Sequence, residues 1–103
     1  MSGDQNRKIV WLSEAKDELR ELITFIKNDS PQNAAKVKQE VLKKISELGA
    51  HPERHAPDKY KLLNTNNSYR AFEIYRIRIS YFVEEDLIMI IRIRHTSQEP
   101  LFH

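Results

Sequence analysis

The sequence predicts an α+β domain, in which an N-terminal strand and an antiparallel helical hairpin pack on a mainly antiparallel sheet in the order β-α-α-β-β-β. Two observations predict this class. Apolar residues recur at helical spacing through residues 13–48, and short runs rich in strand-forming residues follow in residues 68–94. A chain of 103 residues is long enough for one modest core and too short for two, so we expect one domain spanning residues 1–103.

The first half of the chain predicts one strand and two helices. The run KIVWL, residues 8–12, is apolar and rich in strand formers. Ser13 is then predicted to cap the first helix. Ser30, followed by Pro31 at a position that needs no amide donor, is predicted to cap the second helix, which ends at Gly49 as a C′ residue. Because the joint between these amphipathic helices is so short, we expect them to form an antiparallel hairpin.

Three strands are predicted in the second half of the chain: Ser68–Ile74, Arg76–Val83 and Leu87–Arg94. A three-residue turn, Glu84–Asp86, would join the last two strands and set their register. One face of this hairpin is then wholly apolar and is expected to cover the helices. It consists of Val83, Tyr81, Ile79 and Ile77 opposite Leu87, Met89, Ile91 and Ile93.

The opposite face of the hairpin gathers arginines. The same register places Arg78 opposite Arg92 and Arg76 opposite Arg94. Like charges that face each other destabilise a sheet by a few tenths to about 1 kcal/mol. We therefore expect either that an anion binds this cluster or that acidic residues such as Glu73 neutralise it.

The net charge of +2 is small, but it is unevenly distributed along the chain. Residues 1–58 contain ten basic and ten acidic residues, whereas residues 59–103 contain seven basic and five acidic residues. Three of these five acids, Glu84, Glu85 and Asp86, share one turn. The remainder of the second half is therefore basic, as expected for a surface that binds anions or for a solvated sheet face.

Composition limits the compartment and the cofactors. Cysteine is absent, which excludes disulfides and thiolate metal sites and fits a reducing compartment. The longest wholly apolar run, Leu87–Ile91, is too short to cross a bilayer, and the polar N-terminus lacks a signal peptide's apolar segment, so we expect a cytoplasmic protein without membrane contact. His51 and His55 are four residues apart, but Pro52 and Pro57 argue against a helix there, so no metal and no other cofactor is expected.

Six segments carry a resemblance that covers most of the chain. They are LSEAKDELRELITFI, SPQNAAKVKQEVLKKISEL, HPERHAPDKYKLL, YRAFEI, IRISYFV and IIRIRHTSQEP. In order, spacing and total length, these segments resemble the RelE/ParE superfamily of bacterial toxins, which belong to type II toxin–antitoxin pairs. The resemblance implies a toxin that arrests growth and is neutralised by a cognate antitoxin.

The resemblance implies two candidate targets. Several relatives are metal-independent endoribonucleases that cleave messenger RNA on the ribosome. In that case Arg78 matches the family's phosphate-binding arginine, and His95 falls where relatives place an acid–base or cationic residue, so these two would be catalytic. Further contacts with RNA phosphates would come from Arg76, Arg92, Arg94, Lys59 and Lys61. Relatives of the ParE branch instead poison DNA gyrase through protein contacts.

The C-terminal sequence bears on the choice between these targets. RIRHTSQEPLF, residues 92–102, is more similar to the gyrase-directed branch, and it has Phe102 where ribonuclease members often carry a tyrosine. A net charge of +2 is also modest for a protein that binds the ribosome. The four arginines and His95, however, suit phosphate better than a protein-binding face requires, so both activities stay open.

Two other expectations concern binding surfaces. Phe82, Ile88 and Ile90 lie on the arginine face in the predicted register, and we expect this exposed apolar patch to bind an acidic amphipathic segment of the antitoxin. The alternative is a non-toxic nucleic-acid-binding module, because two helices with a tight joint also occur in helix-turn-helix proteins. The N-terminal turn of the second helix, PQNAA, lacks the basic residues that such a recognition helix needs.

Overall fold

The computed structural model of the protein describes residues 7–97 and His103. Its elements occur in the predicted order and confirm the α+β class. The strands are β1 (Lys8–Trp11), β2 (Tyr69–Ile74), β3 (Ile77–Val83) and β4 (Leu87–His95), and the helices are α1 (Ser13–Asp29) and α2 (Pro31–Ser46). A 3-10 turn, Glu47–Gly49, extends α2.

The helix ends agree with the sequence prediction at one place and differ at two. Ser30 caps α2 as predicted, because its side-chain oxygen accepts a hydrogen bond from the backbone N–H of Asn33 at 3.2 Å, and Pro31 occupies the first helical position. The predicted cap of α1 is wrong, since the helix begins at Ser13 itself and no side chain caps it. Gly49 is not a left-handed C′ residue either, because it closes the 3-10 turn without a positive φ.

The four strands form one sheet in the order β1-β4-β3-β2. The strands β2, β3 and β4 are antiparallel neighbours, whereas β1 lies parallel beside β4. The helix α1 contacts both α2 and β4, so the helical hairpin covers one face of the sheet. The other face, which carries Arg78, is called the open face below.

The turn between β3 and β4 is one residue shorter than predicted. The backbone N–H of Glu84 donates to the carbonyl of Leu87 at 2.9 Å, so the loop consists of Glu85–Asp86. As a result, Val83 pairs with Ile88 rather than with Leu87. A slip of one residue exchanges the two faces of a strand, so the predicted register is wrong beside the turn.

A β-bulge shifts the register by one further residue in the middle of the hairpin. Tyr81 pairs with Ile90, whereas Ser80 pairs with Arg92, which leaves Ile91 as the extra residue on β4. In a straight β4 without this bulge, Ile88 and Ile90 would lie on the opposite face from Ile93, so one of these groups would point away from the helices. With it, both groups face the core.

These two shifts also separate the predicted arginine pairs. Arg78 lies opposite Arg94, not opposite Arg92. Arg76 precedes β3 and lies in the turn after β2, so it does not pair with Arg94. Only one pair of directly opposed arginines therefore remains in the β3–β4 ladder.

The expected exposure of Ile88 and Ile90 is wrong. Both residues are fully buried in the core, because the shorter turn exchanges the faces of the first half of β4. Phe82 lies on the open face as expected and is half-buried against the ring of Tyr69, with the ring centroids 4.6 Å apart. The surface patch that was predicted to bind the antitoxin does not form.

The core lies between the helical hairpin and the covered face of the sheet. Its buried residues are Ala15, Leu19, Val37, Val41, Ile45, Leu48, Phe72, Ile77, Ile79, Tyr81, Ile88, Ile90 and Ile93. Tyr81 is the largest fully buried side chain, and its hydroxyl donates to the carbonyl of Pro52 at 2.7 Å. Burial raises the pKa of the Tyr81 hydroxyl to about 12. Within the described residues, neither helix combines the length and the apolar character that a membrane crossing needs.

Candidate functional site

Carboxylates enclose Arg78 on the open face of the sheet. Its Nη1 donates to Glu73 Oε2 at 2.7 Å, its Nη2 donates to Asp58 Oδ1 at 2.9 Å, and the Tyr60 ring lies 4.6 Å from the guanidinium carbon. The side chain is only 11% exposed. Its Nε is buried and lacks a hydrogen-bond partner within the described part of the chain. Of the two alternatives for the arginines, neutralisation by acidic residues is the one observed at Arg78, whose charge is compensated by Glu73 and Asp58.

Asp58 is the centre of this arrangement, and its side chain is completely buried. Burial by itself would raise the pKa of the Asp58 carboxyl. Hydrogen bonds from His103, Arg78, the backbone of Tyr60 and the side chain of Ser80 outweigh burial and hold that pKa well below its usual range. The His103 Nε2 lies 2.8 Å from Asp58 Oδ2, so one carboxylate joins two basic side chains.

The loop that carries Asp58 is fixed to the edge strand β2. The Asp58 N–H donates to the carbonyl of Tyr69 at 2.8 Å, and the Ala71 N–H donates to the carbonyl of Ala56 at 3.2 Å. Arg70 adds a hydrogen bond of 2.7 Å from its Nη1 to the carbonyl of His55. These bonds satisfy the edge of β2 and bring a residue twenty positions before Arg78 into contact with it.

Arg92 is paired with α1 and not with an arginine. Its Nε and Nη2 donate to Glu18 Oε2 at 3.0 and 2.9 Å, and the backbone N–H of Ile93 donates to Glu18 Oε1 at 2.8 Å. The strand β1 ends at Trp11, so Glu18 satisfies the edge of β4 just beyond that end. The hydrogen bonds that Arg92 donates to Glu18 raise the pKa of Arg92 above its ordinary value.

The other two arginines occupy different environments. Burial, together with the nearby charge of Arg92, lowers the pKa of Arg94. Arg76 is exposed and forms the two-residue turn between β2 and β3 with Tyr75. Both turn residues have a positive φ, 53° at Tyr75 and 62° at Arg76, although neither is glycine. Arg76 therefore lies apart from the three arginines of β3 and β4, which share the open face by their strand pairing.

His95 lies on the opposite face of the sheet from Arg78. It pairs directly with Ile77, a buried core residue, and it lines a cleft together with Leu22 and Ile26 of α1. The backbone N–H of Ser97 donates to His95 Nδ1 at 3.1 Å, so this nitrogen acts as an acceptor. The sheet stands between the two predicted catalytic side chains.

The predicted phosphate contacts Lys59 and Lys61 lie beside aromatic rings. The Lys59 Nζ is 5.3 Å from the centroid of the Tyr60 ring, and the Lys61 Nζ is 4.4 Å from that of the Tyr69 ring. Both lysines follow Asp58, whose carboxylate is occupied by Arg78 and His103. In the described segments, no three His, Asp or Glu side chains are arranged to hold a metal ion.

A cleft between the helical hairpin and the β2–β3 turn was not predicted. Phe25, at its centre, is 76% exposed. The cleft encloses about 340 Å³, and its lining residues are Leu22, Phe25, Ile26, Asn33, Val37, Tyr75, Arg76, Ile77 and His95. A second hollow of about 500 Å³ shares Phe25, Ile26 and Asn33 with it and adds Asn28 and Asp29. Together they form the Phe25 cleft, whose lining is mainly apolar and includes the charged residues Asp29 and Arg76.

A sequence signal for this cleft exists. The apolar stripe of α1 runs through Leu19, Leu22, Ile23 and Ile26, and Phe25 lies outside it. A large aromatic residue away from the core stripe of a helix is only a weak signal of a contact surface, because single exposed apolar residues are common.

Comparison with known proteins gives a consistent result. The family model described as "ParE toxin of type II toxin-antitoxin system, parDE" matches residues 9–100. Among solved structures, a chain of the chromosomal ParDE TA system from P. aeruginosa is similar, with a TM-score of 0.69 and 18% sequence identity. The match covers 89% of this chain and 98% of the other. A search of curated proteins found no match.

Proposed function

Because the chain belongs to the ParE toxin family of type II toxin–antitoxin systems, we propose that it arrests growth by contacts with a protein target, DNA gyrase, and not by cleaving messenger RNA. The proposal also includes neutralisation by a cognate antitoxin. Both parts go beyond family membership, and each has its own support in the arrangement of side chains.

The separation of Arg78 from His95 carries the proposal about the target. Metal-independent cleavage of RNA needs a base near the 2′-OH and cations around the same phosphate. Arg78 is on the open face, whereas His95 is on the face that the helices cover. One phosphate cannot contact both side chains through the sheet.

Charge compensation is the second support. Arg78 is paired with Asp58 and Glu73, and Arg92 is paired with Glu18. An arginine that already holds a buried carboxylate would have to break that pair before it could bind a phosphate. Such a break would take away one of the two basic partners of the buried Asp58 carboxylate, which is unfavourable.

The experiment that tests the target follows messenger RNA ends after brief induction in a bacterium and measures supercoiling by purified gyrase with the purified toxin. We expect inhibition of supercoiling and no new messenger ends that depend on ribosomes. A matched control is Ile79→Asp, which places a charge at a fully buried core position and should abolish both folding and toxicity. New messenger ends that appear within minutes, with gyrase unaffected, would overturn the proposal.

For the antitoxin, the Phe25 cleft replaces the predicted patch of Phe82, Ile88 and Ile90. The lining of the cleft is mainly apolar, and Arg76 and His95 lie at its sheet end. This combination fits an amphipathic helix or strand that presents apolar side chains to the cleft and acidic side chains to Arg76. An antitoxin segment of that chemistry is the proposed occupant.

A pair of serine substitutions tests this surface. Phe25→Ser should weaken binding of the antitoxin encoded beside the toxin by about tenfold or more, because an exposed aromatic anchor is lost. Leu42→Ser is the matched control, since Leu42 is an exposed apolar residue of α2 that does not line the cleft. Equal effects of the two substitutions in a titration by calorimetry would place the antitoxin elsewhere.

A further inference from the structure

The loop before β2 presents two adjacent leucines to solvent. Leu62 is 57% exposed and Leu63 is 91% exposed. Scattered apolar residues are common on protein surfaces, but two neighbouring leucines at the tip of a polar loop form a protruding apolar knob. This pair, Leu62–Leu63, is called the leucine knob.

The backbone holds the leucine knob in an unfavourable conformation. Leu63 has a φ of 59°, in the left-handed region that residues with a Cβ avoid. The next residue fixes it there, because Asn64 donates from Nδ2 to the carbonyl of Tyr69 at 2.8 Å and accepts from the Tyr69 N–H at 3.1 Å. On its other side, the Leu62 N–H donates to the carbonyl of His103 at 2.8 Å. Strain that the surrounding structure maintains in this way is typical of functional sites.

Basic residues flank the knob along the loop, although the acidic turn Glu84–Asp86 lies at the same end of the sheet. Residues 59–72 contain Lys59, Lys61 and Arg70 and no acidic residue. The Tyr69 ring positions the Lys61 Nζ beside the knob, and the preceding carboxylate, Asp58, is buried and paired. A complementary partner would therefore offer an apolar socket bordered by carboxylates.

The knob and the Phe25 cleft lie at opposite ends of β2. Asn64 binds Tyr69, the first residue of β2, whereas Tyr75 and Arg76 follow the last residue of the strand, Ile74. Six residues of strand separate the two ends, a distance of about 20 Å. The two surfaces are therefore separate, and a substitution in the knob does not change the lining of the cleft.

We propose that the leucine knob is the contact that inserts into an apolar, acid-bordered socket on the toxin's protein target. This inference rests on the proposed function, because it names the surface through which the toxin would reach gyrase.

The test compares two glycine substitutions in one loop. Leu63→Gly removes the apolar side chain and relieves the positive φ, so the melting temperature should stay equal or rise. Asn67→Gly is the matched control, because Asn67 also has a φ of 59° in this loop but carries no apolar side chain. Inhibition of supercoiling by purified gyrase should require about ten- to hundredfold more Leu63→Gly than wild-type toxin, whereas Asn67→Gly should match the wild type.

The outcomes separate this inference from the proposed function. If the wild-type toxin does not inhibit gyrase, the proposed target is wrong, and the role proposed for the knob is wrong with it. If the wild type inhibits and Leu63→Gly inhibits equally well, the knob is not the contact. If Leu63→Gly is normal but Lys59→Gln with Lys61→Gln loses inhibition and binding to plain duplex DNA, the loop contacts nucleic acid, and the inference is overturned. Unchanged antitoxin binding by Leu63→Gly supports it further.

Discussion

The Arg78 cluster and the Phe25 cleft differ in where their chemically active groups point. In the cluster, Asp58, Glu73 and His103 surround the arginine, and the central carboxylate has no exposed surface. In the cleft, Phe25 is exposed and the β2–β3 turn is held at two positive φ angles. The charges of the cluster are thus paired within the protein, whereas the cleft exposes a large apolar side chain to solvent. Binding of a protein partner is expected at the exposed apolar surface, not where charges are numerous.

The largest expected effect is a loss of stability when the Arg78 cluster is changed. Asp58→Ala should lower the free energy of unfolding by about 3–5 kcal/mol, because it removes the buried partner of both Arg78 and His103. Urea denaturation measures this loss. Glu73→Gln is the matched control, since it removes the other, exposed partner of Arg78 and should cost less than about 1 kcal/mol. Similar losses for both substitutions would mean that Asp58 is not the structural centre.

The next largest effect concerns the β2–β3 turn beside the cleft, where substitution should increase stability. Replacing Tyr75 by Asn and Arg76 by Gly supplies the residues that a turn with two positive φ angles prefers. The free energy of unfolding should rise by about 1 kcal/mol, as relief of backbone strain predicts. Affinity for the antitoxin should fall at the same time, because the turn loses the tyrosine and the cation that line the cleft. A variant that gains stability and keeps full affinity would show that the strained turn does not contribute to antitoxin binding.

The smallest effect is the dependence of stability on pH. The Asp58 pKa in the folded protein lies below its ordinary value of 3.8. Its contribution to stability is therefore complete above that ordinary value and is lost as the pH falls through the lower, folded-state pKa. The difference in unfolding free energy between the wild type and Asp58→Asn should shrink as the pH is lowered from about 5 to about 2. A constant difference across this range would contradict the pairing of Asp58.

The sequence predicted every element of the fold, but the arginine partners only in part. Amphipathic periodicity and the Ser30–Pro31 signal are local, so they could be read from neighbouring residues. The β-bulge at Ser80 and Tyr81 leaves no local signal, and it decides which side of β4 is buried. Asp58 could not be assigned to Arg78 either, because a proline-containing loop brings it there from twenty residues away.

The site predictions depended on that register. Once Ile88 and Ile90 enter the core, the predicted antitoxin patch loses two of its three residues. The roles assigned to Arg78 and His95 came from a resemblance to ribonuclease relatives, which gives residue types and order but not the face on which each side chain lies. The sheet face of a residue follows from the register, and the register required the structure.

The most direct test of the account is growth arrest by the double variant Asp58→Asn with Arg78→Gln. The two substitutions remove the buried charges together, so neither side chain is left as an unpaired ion. At equal levels of soluble, folded protein, we expect the double variant to arrest growth as the wild type does, because the Arg78 charge has a structural role. Normal growth with folded double variant, together with messenger cleavage by the wild type alone, would show that Arg78 acts on RNA phosphate and would contradict the account.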